Sequence, residues 1–211
     1  MVNNQKLENN CIDYDDLVKG IMNLTLKKLK EKELFYTFLL SRTAIERMVQ
    51  FDFAYTAYEY LSEKKLDSWQ VRLEWNRMDV ALLENNKEKI IIQLKANQGP
   101  ISKKTKESLI TDLKNKVNED TEKLNKYLNN VKRKDKEIVA YIIFFQARLK
   151  NYETPQWHNQ CDEKKCWWCS KNFNQLYEEI IKIMEPQIAT ETVNFNNDEF
   201  EGSFFMAFKV K

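Results

Sequence analysis

The chain has 211 residues, 43% of them hydrophobic and 12% aromatic, enough for one sizeable core, while three glycines and three prolines leave no room for a long flexible linker. Lys plus Arg (34) nearly balance Asp plus Glu (32), a formal charge of +2, so bulk charge singles out no class of partner. The N-terminus lacks a charged segment followed by an apolar one, and no apolar run approaches the roughly twenty residues that span a bilayer, so the expectation is a soluble, cytoplasmic, non-secreted protein with no membrane partner.

In chain order, Leu17, Val18, Ile21, Met22, Leu24 and Leu29 are spaced as one face of a helix, and residues 34–40 form an apolar run. Residues 1–40 therefore read as a helical N-terminal extension that packs on the core or on a second subunit. Residues 43–61 carry apolar positions at helical spacing without Gly or Pro, and Thr43-x-x-Glu46 fits a capping box. Three strand-like runs follow, at 69–75, 77–83 and 90–96, the last two parted by the polar segment 84–89. Alternation puts Gln93 and Lys95 on one face and Leu94 on the other, and a hairpin brings Asp79 to them. Glu74 falls on the face of Arg72, away from Val71, Leu73 and Trp75, and is either a second acid of the site or a solvated residue.

Gly99-Pro100 breaks the chain before a long helix at about 103–131, whose stripe is Leu109, Leu113, Val117, Leu124, Tyr127, Leu128 and Val131. Residues 103–136 hold eleven Lys or Arg against six Asp or Glu, a local basic face that suits a phosphate backbone or is merely solvated; Lys103, Lys104 and Lys106 are its first candidates for nucleic-acid binding. Residues 137–146 are almost wholly apolar, as in a strand buried on both faces. A strand returned to its sheet by a long helix implies a parallel crossover and an α/β fold. The segment 203–210 reads as one more strand, added at a sheet edge.

An acid, an amide oxygen and an amine held on a rigid sheet are what metal-assisted phosphodiester hydrolysis needs: oxygens hold a hard divalent cation, and the lysine orients water or neutralises phosphate. The pattern Glu74…Arg77-x-Asp79, then an apolar strand ending in Gln93-x-Lys95, resembles the PD-(D/E)xK nuclease superfamily, in the variant with glutamine at the second acidic position, as in Mrr-like restriction enzymes, RecB-like exonucleases and Holliday junction resolvases. The resemblance covers roughly residues 41–147. It implies a restriction-endonuclease-like core, a mixed β-sheet flanked by helices, in one domain: extension 1–40, core 41–147, Cys/His loop 151–175 and a C-terminal helix and strand 176–211. It also implies a Mg2+- or Mn2+-dependent endo- or exonuclease acting on DNA in restriction, anti-phage defence or repair, alone, as a homodimer or in a larger complex. Asp79, Gln93, Lys95 and Glu46 would be catalytic, with Asp79, Gln93 and Glu46 on the metal. The alternative is a degenerate nuclease-like fold that binds nucleic acid or protein without cutting, because Gln93 supplies no charge. Asp120-x-x-Lys123 resembles a segment often found after the catalytic lysine, with no role carried over.

A second constellation is His158-x2-Cys161-x4-Cys166-x2-Cys169, four soft ligands within twelve residues, compact enough to wrap a tetrahedral zinc. RecB-like nucleases with an iron–sulfur cluster place one cysteine before the core and three after it, which here would be Cys11, Cys161, Cys166 and Cys169; this chain departs from them in spacing and lacks their Gln-x3-Tyr after Lys95. Zinc, a cluster and reduced structural thiols all stay open. Trp157, Trp167, Trp168 and Phe173 suit either stacking on unpaired bases or the core of a small loop.

Overall fold

The structure is a computed structural model that describes residues 12–32, 46–97, 106–131, 137–149, 182, 187–194 and 200–210. Helix α1 spans Tyr14–Glu31, α2 Glu46–Glu63 and α3 Lys106–Val131. The strands are β1 Trp69–Trp75, β2 Met78–Glu84, β3 Lys87–Asn97, β4 Val139–Leu149, β5 Gln187–Asn194 and β6 Phe200–Val210. They form one sheet in the order β1-β2-β3-β4-β6-β5, parallel only between β3 and β4. The mixed α/β sheet flanked by helices thus matches expectation, including the crossover through α3.

Local chemistry explains the ends of the elements. Asp13 caps α1, its Oδ1 accepting from the Asp15 N–H at 2.8 Å and the Asp16 N–H at 3.3 Å, while Asp15 and Asp16 at the start and Lys28 and Lys30 at the end complement the helix dipole. Helix α2 stops where Lys65 turns left-handed (φ 55°): Lys65 N–H donates to the Ser62 carbonyl and Leu66 N–H to that of Leu61, a Schellman closure with lysine where glycine is usual. Both early hairpins turn on two residues with positive φ, Asn76-Arg77 and Asn85-Asn86, whose twist suits antiparallel strands. The connection expected over 84–89 is therefore only Asn85-Asn86, and Lys87 already pairs with Glu84.

Each face of the sheet carries its own core. On one, α1 and α2 bury Leu17, Ile21, Met22 and Phe53 against Val80, Ile90, Ile92, Leu94, Tyr141 and Phe145. On the other, α3 buries Val117, Leu124 and Leu128 against Ala81, Ile91, Ile142, Phe144 and Phe208. Of the two packings expected for the N-terminal helix, on the core or on a second subunit, α1 takes the first: its buried face is part of the core, and it is pinned to the sheet by Asp15, which accepts from Tyr141 Oη of β4 and, at 3.0 Å, from Lys209 Nζ of β6. One expectation needs correction: the C-terminal strand does not lie at an edge. β6 is an inner strand between β4 and β5, and the polar β5 is the edge, too weakly patterned in Thr190-Glu191-Thr192 to read from sequence. No helix of the described residues is long and apolar enough to cross a membrane.

Two predictions follow from this packing. A Cβ on Gly20 would meet Tyr60 Oη at 2.2 Å, so the Tyr60 ring of α2 lies over Gly20 of α1 and would have to shift for any larger residue. Gly20→Ala should lower the melting temperature although alanine gains about 1 kcal/mol of helix propensity. In a Tyr60→Ala background the same change should raise it; an increase in both backgrounds would remove the close approach as the cause.

The second concerns Asp15. Burial alone would raise its carboxyl, but hydrogen bonds from Tyr141 and Lys209 outweigh that and hold its pKa below the usual 3.8. Its ionic contribution is complete above the unfolded value and lost as pH falls through the lower folded one. Asp15→Asn should cost about 1–2 kcal/mol at neutral pH, discounted because the carboxylate keeps 30% of its exposure. In urea titrations the gap should hold down to about pH 4 and close below it.

Candidate functional site

The site begins where two strands part. β2 and β3 pair as far as Val80↔Ile92, and beyond that β3 continues in register with β4 alone, from Gln93↔Ile142 to Asn97↔Gln146. On the side that β2 has left, the Leu94 N–H needs an acceptor, and the Asp79 side chain supplies it at 2.7 Å through Oδ2. The same oxygen accepts from Gln93 Nε2 at 2.6 Å. Asp79 is itself released from β1, whose partners run Leu73↔Val80 and then Trp75↔Met78, passing over Glu74, which sits at φ 49°. The Asp79 carbonyl accepts instead from Gln50 Nε2 of α2 at 3.0 Å. The Asp79 carboxylate is thus fixed at both its backbone and its side chain.

Alternation sends Gln93 and Lys95 to the α3 face, opposite Leu94 in the α1/α2 core. Two residues of α3, three apart and so on one side of the helix, meet them there: Asp120 lies 3.1 Å from Lys95 Nζ, and Lys123 Nζ donates to Gln93 Oε1 at 3.1 Å. The Lys95–Asp120 contact is close but poorly angled for a hydrogen bond, so charge is its main content. Burial works against the Lys95 ammonium, yet the carboxylates of Asp120, Glu46 and Asp79 outweigh it and hold its pKa above the ordinary lysine value. Burial raises the Asp79 carboxyl above its ordinary value; the Leu94 hydrogen bond and the charges of Lys95 and Lys123 oppose the rise, and Glu46 adds to it.

The structure therefore brings Asp79 and Gln93 into contact, sets Lys95 on the same face of β3 as Gln93, and places Glu46 within electrostatic reach of both Asp79 and Lys95. Thr43, the partner in the capping reading of Glu46, lies outside the described residues. Glu74 is exposed, its left-handed backbone being what frees Asp79 from the ladder. Lys103 and Lys104 are outside the described residues, and Lys106 is described only as backbone at the start of α3. Cys11, His158, Cys161, Cys166 and Cys169 are likewise outside them.

Gln50 was missed from sequence, and Asp120 and Lys123, singled out only as a resembling segment, were given no role. The burial pattern carries a signal for two of the three. Gln50 stands in line with Phe53 and Ala57 on the buried face of α2, and Asp120 falls between Val117 and Leu124 on the buried face of α3; they are 7% and 8% exposed. A polar residue at a core position of an amphipathic helix breaks the pattern that folding alone would set.

All the candidate donors are oxygens, as a hard cation prefers. Among the described residues Asp79 Oδ1 accepts no hydrogen bond, so one oxygen of a desolvated carboxylate is open to a cation, with Glu46 adding negative charge. Among those residues no three His, Cys, Asp or Glu side chains form a cage. Donors of this kind, one or two carboxylate oxygens completed by water, are what Mg2+ takes where it binds. Comparison with family models, curated proteins and solved structures returns no match to this chain.

Removing the Gln50 amide should leave the Asp79 carbonyl unsatisfied. Gln50→Leu is expected to cost about 1–3 kcal/mol in chemical denaturation without altering the circular dichroism spectrum. A loss within error of zero would mean that this carbonyl does not depend on Gln50.

Proposed function

We propose that the protein is a metal-dependent nuclease that hydrolyses phosphodiester bonds in DNA, with Asp79, Gln93, Lys95 and Glu46 as its working residues. The observation that carries this reading is the meeting of Asp79 and Gln93 at the point where β2 leaves β3, with Lys95 next on the same face. Such a splay frees polar groups from the ladder at the end of a rigid sheet, where they are held in fixed geometry. Asp79, assisted by Glu46 and the Gln93 side-chain oxygen, would hold Mg2+ or Mn2+; the bound cation would supply Lewis acidity and a more acidic water. Lys95, kept charged by Asp120, faces the scissile phosphate and offsets charge that grows there in the transition state. The basic stretch 103–136 is the proposed track for the DNA backbone, and roles in restriction, anti-phage defence or repair suit such an activity.

A second reading, a degenerate nuclease-like fold that binds nucleic acid or a protein partner without cutting, also has an observation behind it. The polar groups already engage one another, Lys123 with Gln93, Gln93 with Asp79 and Lys95 with Asp120, as a site without a cation would need.

Incubation of the purified chain with plasmid and single-stranded DNA separates the two. Cleavage is expected with Mg2+ or Mn2+ and none with EDTA. Asp79→Asn keeps an acceptor for the Leu94 N–H and should fold, yet with Lys95→Ala it should lower turnover by roughly two orders of magnitude or more. Wild-type rates in both variants would sink the assignment; DNA retention with no cleavage under any metal would favour the second reading.

A further inference from the structure

Lys123 sets which end of the Gln93 amide faces Asp79. An ammonium has donors and no acceptor, so of the two ends of the Gln93 amide only the oxygen can face Lys123 Nζ, and at 3.1 Å it does. That choice turns the amide nitrogen toward Asp79, where it donates at 2.6 Å to Oδ2. A divalent cation shared by Asp79 and Gln93 needs the opposite end of the amide, because Nε2 carries hydrogens and no free lone pair. Turning the amide over would point its N–H groups at Lys123, donor against donor. With Lys123 in place, Gln93 cannot ligate a cation at Asp79.

Resting on the nuclease reading, we propose that Lys123 is an internal cation that competes with the divalent metal for the Gln93 side-chain oxygen, and that metal binding releases it beside the substrate phosphate. Formal charge is consistent with both states. With every group ionised, Glu46, Asp79 and Asp120 give −3 and Lys95 and Lys123 give +2, a sum of −1. A divalent cation brings the sum to +1, and one phosphodiester returns it to zero. Holding Lys123 on Gln93 before metal arrives limits the negative charge gathered around a desolvated carboxylate, while its release supplies a cation where phosphate must dock. Geometry permits the movement: Lys123 sits on the half-exposed side of α3, and among the described residues Gln93 is its only hydrogen-bond partner. Lys123 is thus a positioning residue, acting on the metal through the orientation of Gln93.

The test is Mn2+ affinity without DNA, by electron paramagnetic resonance or calorimetry, on the full chain. Lys123→Met removes the charge and keeps the stem, and it should tighten Mn2+ binding about tenfold, equivalent to roughly 1.4 kcal/mol. Lys123→Arg, which keeps the charge, should bind no tighter than wild type. A merely structural lysine would change the melting temperature of Lys123→Met and not its Mn2+ affinity, and an unchanged or weaker affinity in that folded variant overturns the proposal. Should Lys123→Met not fold, the wild-type chain gives the answer: Lys123 should be acylated faster by an amine-reactive ester when Mg2+ is present, and an unchanged rate overturns the proposal. Asp79→Asn separates this failure from that of the nuclease reading. Loss of Mn2+ binding in Asp79→Asn with no tightening in Lys123→Met overturns the lysine's role alone, whereas wild-type Mn2+ binding that ignores Asp79, or is absent, overturns both.

Discussion

The hydrogen bond from the Leu94 N–H to the Asp79 carboxylate is the contact on which the rest of the site depends. A strand that loses its neighbour in mid-course leaves backbone groups without partners, and burying one costs as much as a lost hydrogen bond. Here a side chain replaces the missing ladder, so the acid is held by the same need that holds the sheet together. Next to this contact, Glu74, the residue the β1–β2 ladder passes over beside Asp79, takes a positive φ, a conformation that side chains make unfavourable.

The site is built from both faces of the sheet. Glu46 and Gln50 come from α2 on one side, Asp120 and Lys123 from α3 on the other, and Asp79 lies where β2 ends its pairing and both helices can act on it. The β3–α3–β4 crossover makes this possible, because returning the chain in parallel carries α3 across the face that bears Gln93 and Lys95. Opposite charges lie within reach, as buried ions require. Lys95 is answered by Asp120, and Asp79 by the charges of Lys95 and Lys123 together with the Gln93 amide.

Helix α2 shows the limit of simple patterning. It buries Val49, Phe53, Ala54 and Ala57 yet also presents Phe51, Tyr55 and Tyr58 to solvent, 57–63% exposed, with Lys28 of α1 lying 4.9 Å from the Tyr55 ring centre. Apolar residues all round a helix suggest burial on every side, but here only one face is covered by the described elements.

From sequence alone, the strands around Asp79 and Gln93-x-Lys95, the helix on either side of them and the parallel crossover were all legible, because side-chain periodicity is local and a long helix between apolar strands allows few topologies. The residues that complete the site were not. Gln50, Asp120 and Lys123 reach it from 29, 25 and 30 positions away from their contacts on Asp79, Lys95 and Gln93, and a polar residue at a helix core position signals burial without saying which partner it will meet. The place of α1 and the order β4-β6-β5 were equally hidden: Asp15 meets Tyr141 and Lys209 across 126 and 194 residues, and an inner strand differs from an edge strand only in what comes to lie beside it. Sequence determined the elements other than β5, together with the acid–amide–lysine set, since propensity and alternation act within a few residues; the tertiary structure alone decided the partners, since hydrogen bonds and charges act through space.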